Sequence, residues 1–371
     1  MHKILVMDGF PTWSKRIARS TERSVWRGRK MKRLSGLLVL ALALAGVMAA
    51  QSGLMITGAG ATFPNPIYSK WFDQFHKANG TQINYQPVGS GAGIKQVTDG
   101  TVDFGASDGP MNDDQLKAYK TKNGVGILHF PTVLGAAVPT YNVPGVTGSL
   151  NFTPDALAGI FLGRIARWND PAIANANKGV NLPANDIVVI HRSDGSGTTY
   201  IWTDYLSKVS SDWKDKVSKG TSVNWPVGLG GKGNEGVTGL IKQTPNSIGY
   251  VELIYAAQNK IPYGTVKNLA GTFVKADLAS VSEAASGASK TMPEDFRVSI
   301  TNAPGKNAYP ISSFTWLLIP EKFKDAAKRD AMKNFVKWAI TDGQGDVEAL
   351  SYAKLPKEVV DKELKALSKV Q

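Results

Sequence analysis

The chain of 371 residues is longer than most single hydrophobic cores, so two lobes of ordinary domain size are expected. Cysteine is absent, which excludes disulfides, thiolate metal sites, cysteine nucleophiles and a lipid-anchored export signal. The formal charge of +13 does not predict nucleic-acid binding, because ten of the Lys and Arg residues lie in the first 33 positions and no basic stripe follows them.

The first fifty residues are predicted to be a removable export signal preceded by a basic extension. Residues 31–50 contain two basic residues, an apolar run at 37–44 and then small residues, which are the three parts of a secretory signal. The apolar run is shorter than the roughly 20 residues that span a bilayer. Residues 1–30 are therefore either an upstream mis-start or a basic leader, and the mature protein is expected to be exported and free in solution.

From residue 51 onward, short apolar or β-branched runs alternate with amphipathic stretches, which predicts βα units and a largely parallel sheet. In the first series, strands are predicted at 83–88 and 101–107. A second series begins with a strand at 186–192, followed by a helix at 198–209. Because the pattern restarts, it favours two α/β lobes.

Two further helices are predicted near the end of the chain. The region 276–297, rich in Ala and Ser, is expected to be a connecting helix and loop. At 320–343, apolar residues recur on one face of a helix with lysines opposite, which indicates a surface helix with a buried stripe. That stripe consists of Phe323, Ala327, Ala331, Phe335, Trp338 and Ala339.

Three clusters of glycine and hydroxyl residues lie at predicted strand-to-helix turns, at 57–64, 89–93 and 194–198. A helix N-terminus presents unpaired backbone N–H groups and the positive end of the helix dipole, and small residues there allow an anion to approach closely. Each cluster alone is more commonly a plain helix cap or turn. The hypothesis of a site for a tetrahedral oxyanion therefore rests on the three occurring together.

Polar side chains in and beside these clusters supply further anion-binding groups. Arg192 ends the strand ahead of the third cluster and offers a planar bidentate fork, which Asp194 could hold in place. A fourth glycine-rich stretch, 228–234, lacks the Ser or Thr that a phosphate-binding loop requires after its lysine, so we expect a structural loop beside the cleft. Hydroxyl donors without bulk come from Thr62, Ser90, Ser196 and Thr198.

Several longer stretches, in order, resemble the periplasmic phosphate-binding protein of high-affinity phosphate ABC transporters; they include TGAGATFPNPIYSKW, INYQPVGSGAGIKQ, TVDFGASDGPM, RSDGSGTTYIWTDYL and YPISSFTWLLI. The resemblance covers residues 54–360. It implies a two-lobed type II periplasmic-binding-protein fold, in which each lobe is a mixed, mainly parallel sheet flanked by helices and the ligand cleft lies between the lobes. Residues 51–133 plus 309–371 would form lobe one, and residues 134–308 would form lobe two.

The same resemblance implies which residues contact phosphate. An ionised Asp108 is an acceptor only, so it suits a ligand that still carries a proton near neutral pH, as phosphate does and sulfate does not. Phe63 would contribute through its backbone N–H. The implied contacts are Thr62, Phe63, Ser90, Asp108, Arg192, Ser196, Gly197 and Thr198.

The resemblance implies a protein that captures inorganic phosphate in the periplasm and delivers it to the membrane permease of an ABC importer. We expect a monomer that is not an enzyme and has no cofactor, metal, catalytic residue or nucleic-acid partner. The alternatives are a receptor for another tetrahedral oxyanion, a secreted phosphatase-like protein, and an adhesion or scavenging protein that has lost transport. A phosphatase would require a metal cluster or an activated nucleophile, and the sequence shows neither.

Overall fold

The structure is a computed structural model. It describes residues 53–371. The predicted leader at 1–30 and the predicted signal at 31–50 lie outside the described residues.

Eight strands form one sheet in the order β2-β1-β3-β11-β4-β8-β6-β7, and three short strands form a second sheet in the order β10-β9-β5. The strands are β1 (Met55–Gly60), β2 (Gln82–Gln86), β3 (Phe104–Ser107), β4 (Ile127–Asn142), β5 (Asn151–Phe152), β6 (Val188–Arg192), β7 (Leu229–Gly231), β8 (Ser247–Glu252), β9 (Thr265–Lys267), β10 (Phe273–Val274) and β11 (Ser312–Pro320).

The large sheet is mixed. At one end β1 runs parallel to β2 and β3, and at the other end β6 runs parallel to β7 and β8. The central strands β11 and β4 are antiparallel to their neighbours. This arrangement confirms the predicted α/β class, and it places the two predicted groups of parallel strands in one continuous mixed sheet.

Strand β4 joins the two parallel groups. Residues 127–136 pair with β11, whereas residues 137–142 pair with β8. Nearly all of β4 is buried, which explains why its sequence is an almost continuous apolar run rather than an alternating one. The register shifts in β11 next to Trp316, opposite Pro131, as expected where a residue without an N–H interrupts the ladder. The lobe boundaries at 133/134 and 308/309 remain predictions.

Twelve α-helices are described between residues 53 and 371. Several begin with a side chain that caps the first turn, for example Asn112, Ser196 and Asp277. The helices are α1 (Asn65–Asn79), α2 (Ser90–Asp99), α3 (Asp113–Asn123), α4 (Pro154–Phe161), α5 (Pro171–Ala174), α6 (Gly197–Val209), α7 (Ser211–Lys216), α8 (Gly233–Gln243), α9 (Leu253–Gln258), α10 (Leu278–Lys290), α11 (Ala326–Ile340) and α12 (Lys357–Ala366).

The prediction of a helix over 320–343 was wrong at both ends. Helix α11 begins at Ala326, because the Asp325 carboxylate accepts hydrogen bonds from the N–H groups of Ala327 and Lys328 and so caps the helix there. Phe323 precedes the helix, and Ala327 is exposed rather than buried. The buried stripe instead runs through Ala331, Met332, Phe335, Val336, Ala339 and Ile340.

Aromatic side chains form much of the core. Helices α1 and α11 meet through an aromatic cluster that includes Phe72, Phe75 and Phe335, with the Phe72 and Phe335 ring centroids 5.2 Å apart. Beside β8, Trp202 of α6 stacks on Tyr250 at 5.0 Å. Within residues 53–371, no helix combines the length and the apolar character needed to cross a bilayer.

Candidate functional site

The three predicted glycine-rich turns converge at the carboxyl ends of parallel strands. Thr62 follows β1, Asp108 follows β3 and Arg192 ends β6. Ser90 begins α2, and Ser196 is the N-cap of α6, where its hydroxyl accepts a hydrogen bond from Thr199. Open α/β sheets bind ligands at this edge, because strand ends and helix N-termini meet there.

Direct contacts join the turn at 89–93 to the turn at 194–198. The backbone N–H of Gly91 donates to the Gly195 carbonyl at 2.8 Å. The Cα of Gly197 lies so close to Ser90 and Asp108 that an added Cβ would stand 2.5 Å from Ser90 Oγ and closer still to Asp108 Oδ2. Space, not backbone conformation, therefore requires glycine at position 197.

Asp108 is buried and is held by a strand that sequence reasoning did not connect to the site. Its Oδ1 accepts a 2.7 Å hydrogen bond from Thr315 Oγ1 of β11, and its backbone N–H donates to Ser90 Oγ at 3.4 Å. Burial raises the pKa of Asp108 from its ordinary 3.8 to about 7, although the bond from Thr315 and the charge of Arg192 both oppose the rise. This carboxyl can therefore exchange a proton near neutral pH.

Arg192 and Asp194 form a bidentate pair. Arg192 Nε donates to Asp194 Oδ1 at 2.8 Å, and Nη2 donates to Oδ2 at 2.6 Å. Burial by itself would raise the pKa of Asp194, but the bonds and charge of Arg192 outweigh it, so the pKa is lowered and Asp194 stays ionised. The remaining nitrogen, Nη1, donates to Thr198 Oγ1 at 3.3 Å, which aims the guanidinium at the first turn of α6.

Two tyrosine hydroxyls fix the turn after β1. Tyr255 donates to the Thr62 carbonyl and Tyr352 donates to the Phe63 carbonyl, each at 2.6 Å. Thr62 and Phe63 are both buried. In the part of the chain that the structure describes, the N–H groups of Phe63, Gly197 and Thr198 have no acceptor in the protein. Buried N–H groups of this kind form an anion-binding surface.

Asn234 is the residue that sequence reasoning missed. The stretch 228–234 was expected to be only a structural loop, yet Asn234 lies in the first turn of α8, is fully buried and donates from Nδ2 to Thr62 Oγ1 at 2.9 Å. The same nitrogen donates to Thr198 Oγ1 at 3.3 Å. The available signal was that GGKGN repeats the pattern of the other three turns: glycines between a strand and a helix.

The groups that meet here are suited to holding an anion. Donors come from backbone N–H groups, small hydroxyls and one guanidinium, and one buried carboxyl can accept a proton. Among residues 53–371, no three His, Asp or Glu side chains are grouped so that they could hold a metal ion.

An α/β sheet with two parallel groups of strands, and with buried backbone N–H donors at the strand ends of both groups, is the architecture of a periplasmic-type binding protein. The chain belongs to the PBP superfamily, whose domain model matches residues 46–343. The phosphate-binding protein PstS of Xylella fastidiosa strain Temecula1 is 47% identical over 306 residues, which cover 82% of each chain. PstS of Pasteurella multocida strain Pm70 is 44% identical, covering 83% of this chain and 88% of its own.

A solved phosphate-binding protein from Stenotrophomonas maltophilia shares the fold. It superposes with a TM-score of 0.64 at 19% identity, covering 84% of this chain and 93% of its own.

Proposed function

We propose that this protein captures inorganic phosphate outside the cytoplasm and delivers it to the permease of an ABC-type importer. The observation that carries the proposal is that the buried carboxyl of Asp108 lies beside Ser90 and Gly197, at the edge of a cradle of hydrogen-bond donors. The cradle consists of the backbone N–H groups, small hydroxyls and guanidinium described above. Relatives that are 44% to 47% identical over most of their length are named phosphate-binding proteins. In keeping with them, we assign binding and no catalysis to this chain.

We assign the oxyanion contacts to the predicted set. The N–H groups of Phe63, Gly197 and Thr198 supply backbone donors, and Arg192 supplies the charged fork. Because Arg192 is already paired with Asp194, most of the attraction for the anion comes from these fixed dipoles rather than from net charge. The hydroxyl donors are those of Thr62, Ser90, Ser196 and Thr198.

Asp108 gives the site its selectivity for a protonated ligand. Hydrogen phosphate brings a proton that an ionised Asp108 accepts, whereas sulfate brings none and places its charge against the carboxylate. A pKa of about 7 for Asp108 means that the carboxyl and the ligand share one proton without a large energetic penalty. Another tetrahedral oxyanion without a proton is therefore the weaker candidate.

The test is calorimetric titration of the wild-type protein and of Asp108→Asn with phosphate and with sulfate. We expect the wild type to bind phosphate far more tightly than sulfate. Asp108→Asn should lose at least tenfold of that preference, because a hydrogen bond to a charged group contributes roughly 1.5 to 3 kcal/mol and only phosphate can donate one to the carboxylate. The control is Asp212→Asn, at an exposed carboxylate paired with Arg164. An unchanged preference in Asp108→Asn would remove the carboxyl from the discrimination.

A phosphate-ester hydrolysis assay on the same sample tests the assignment of binding without catalysis, since any turnover above the buffer rate would overturn it.

Stimulation of a reconstituted permease by the phosphate-loaded protein tests the proposed partner. Export to the periplasm is tested by cell fractionation of the full chain and of a variant lacking residues 2–30, which we expect to be exported equally well.

A further inference from the structure

We infer that Asn234 is a positioning residue that restricts two threonine hydroxyls, those of Thr62 and Thr198, to donating hydrogen bonds toward the bound oxyanion. This inference deepens the proposed function and rests on it. Asn234 itself is placed beside the ligand cradle, and it acts through the two hydroxyls.

The orientation of the Asn234 side chain is fixed by its third partner. The backbone N–H of Glu252 donates to Asn234 Oδ1 at 3.0 Å. If the amide were turned over, this N–H would face an NH₂ group, and a buried donor would lose its acceptor. Because Glu252 and Asn234 are both fully buried, water cannot replace that acceptor, so Nδ2 must point at the threonines.

Each threonine hydroxyl already accepts two hydrogen bonds. Thr62 Oγ1 accepts from Asn234 Nδ2 at 2.9 Å and from the Asn234 backbone N–H at 3.3 Å. Thr198 Oγ1 accepts from Asn234 Nδ2 and from Arg192 Nη1, both at 3.3 Å. A hydroxyl has two acceptor positions and one hydrogen. Both acceptor positions are therefore occupied, and only the hydrogen remains to be given.

This arrangement decides where the hydrogen of the ligand can lie. The hydrogen of the ligand cannot point at Thr62 or Thr198, because it would meet the hydrogen of the hydroxyl there and find no free acceptor position. Asp108 is the carboxyl of the site that can accept a proton at neutral pH. Asn234 and Asp108 thus act together: Asn234 leaves the two threonine hydroxyls unable to accept the hydrogen of the ligand, and Asp108 accepts it.

The test begins with Asn234→Ala, titrated with inorganic phosphate. We expect its affinity for phosphate to fall about tenfold, because each hydroxyl regains an acceptor position and no longer has its hydrogen committed to the ligand. The matched control is Asn268→Ala, a buried asparagine whose Nδ2 donates only to the carbonyls of Gly305, Lys306 and Ala308. We expect the control to lose thermal stability but to bind phosphate within about twofold of the wild type.

A double-mutant cycle separates positioning from a merely structural role. In a Thr62→Val, Thr198→Val background, Asn234→Ala should change the phosphate affinity by less than about twofold, because the hydroxyls on which it acts are gone. A further loss of about tenfold in that background would overturn the inference and leave Asn234 as a packing residue. If Asn234→Ala does not fold, Asn234→Leu fills the same space and takes its place in the cycle.

The cycle also distinguishes this inference from the proposed function. A wild-type protein that fails to bind phosphate would refute the function itself. A wild-type protein that binds phosphate, with additive effects in the cycle, would refute only the role of Asn234.

Discussion

Replacing Gly197 by alanine should block the approach of helix α6 to Ser90 and Asp108. The added Cβ would stand 2.5 Å from Ser90 Oγ and 2.6 Å from Asp108 Cβ, whereas ordinary contact begins at 3.4 Å. One side of the contact must therefore retreat by about 1 Å. Neither Ser90 nor Asp108 can turn away into solvent, because both are buried and Asp108 is also held by Thr315.

The size of the effect follows from the cost of overpacking. Adding a methyl group to a well-packed site costs about 1 to 3 kcal/mol. If this cost falls only on the form in which Gly197 contacts Ser90 and Asp108, the affinity for phosphate falls roughly 5- to 150-fold. The ligand-free protein can relieve the clash by separating the turns, so we expect little change in its thermal stability. In Gly197→Ala, the increase in unfolding temperature on adding phosphate should instead be much smaller than in the wild type.

Calorimetric titration with phosphate, together with thermal unfolding at several phosphate concentrations, measures both effects. The control is Gly239→Ala in α8, where an added Cβ meets no atom within 4 Å, and we expect wild-type affinity there. If Gly197→Ala binds phosphate within about twofold of the wild type, α6 does not approach Ser90 and Asp108 this closely in the bound form.

Two further predictions concern the charged groups of the site. Arg192→Lys should weaken phosphate binding about tenfold, because an ammonium cannot form the bidentate pair with Asp194 and also reach Thr198. The control is Arg167→Lys, at an exposed pair with Asp186, which should leave the measured dissociation constant for phosphate unchanged. Without phosphate, the raised pKa of Asp108 stabilises the fold fully below pH 3.8, and this contribution is lost as the pH rises through about 7. Urea unfolding should therefore show the free energy of the wild type falling relative to Asp108→Asn as the pH increases over this range, and a difference independent of pH would contradict the assignment.

Local sequence patterns were sufficient to predict the position of several strands and helices. The strands around 83–88 and 186–192 and the helix at 198–209 lie within two residues of their predicted limits, because apolar periodicity and Ser196 as an N-cap are short-range signals. The start of α11 was missed, although Asp325 was a visible capping signal, because the apolar pattern was extended past it to Phe323. Periodicity alone therefore placed the helix but not its first residue.

The sequence by itself determined the class of site: glycines and hydroxyls at strand-to-helix turns, one arginine and one aspartate that suit a protonated oxyanion. Only the tertiary structure decided which of these groups touch. Asn234 and Thr62 are 172 residues apart, and Thr315 and Asp108 are 207 apart. Such pairs depend on the order of strands in the sheet and on the packing of whole helices, and no local stretch of sequence encodes that order. The same packing brings Gly197 against Ser90 and Asp108, and so leaves no room for a side chain at that position.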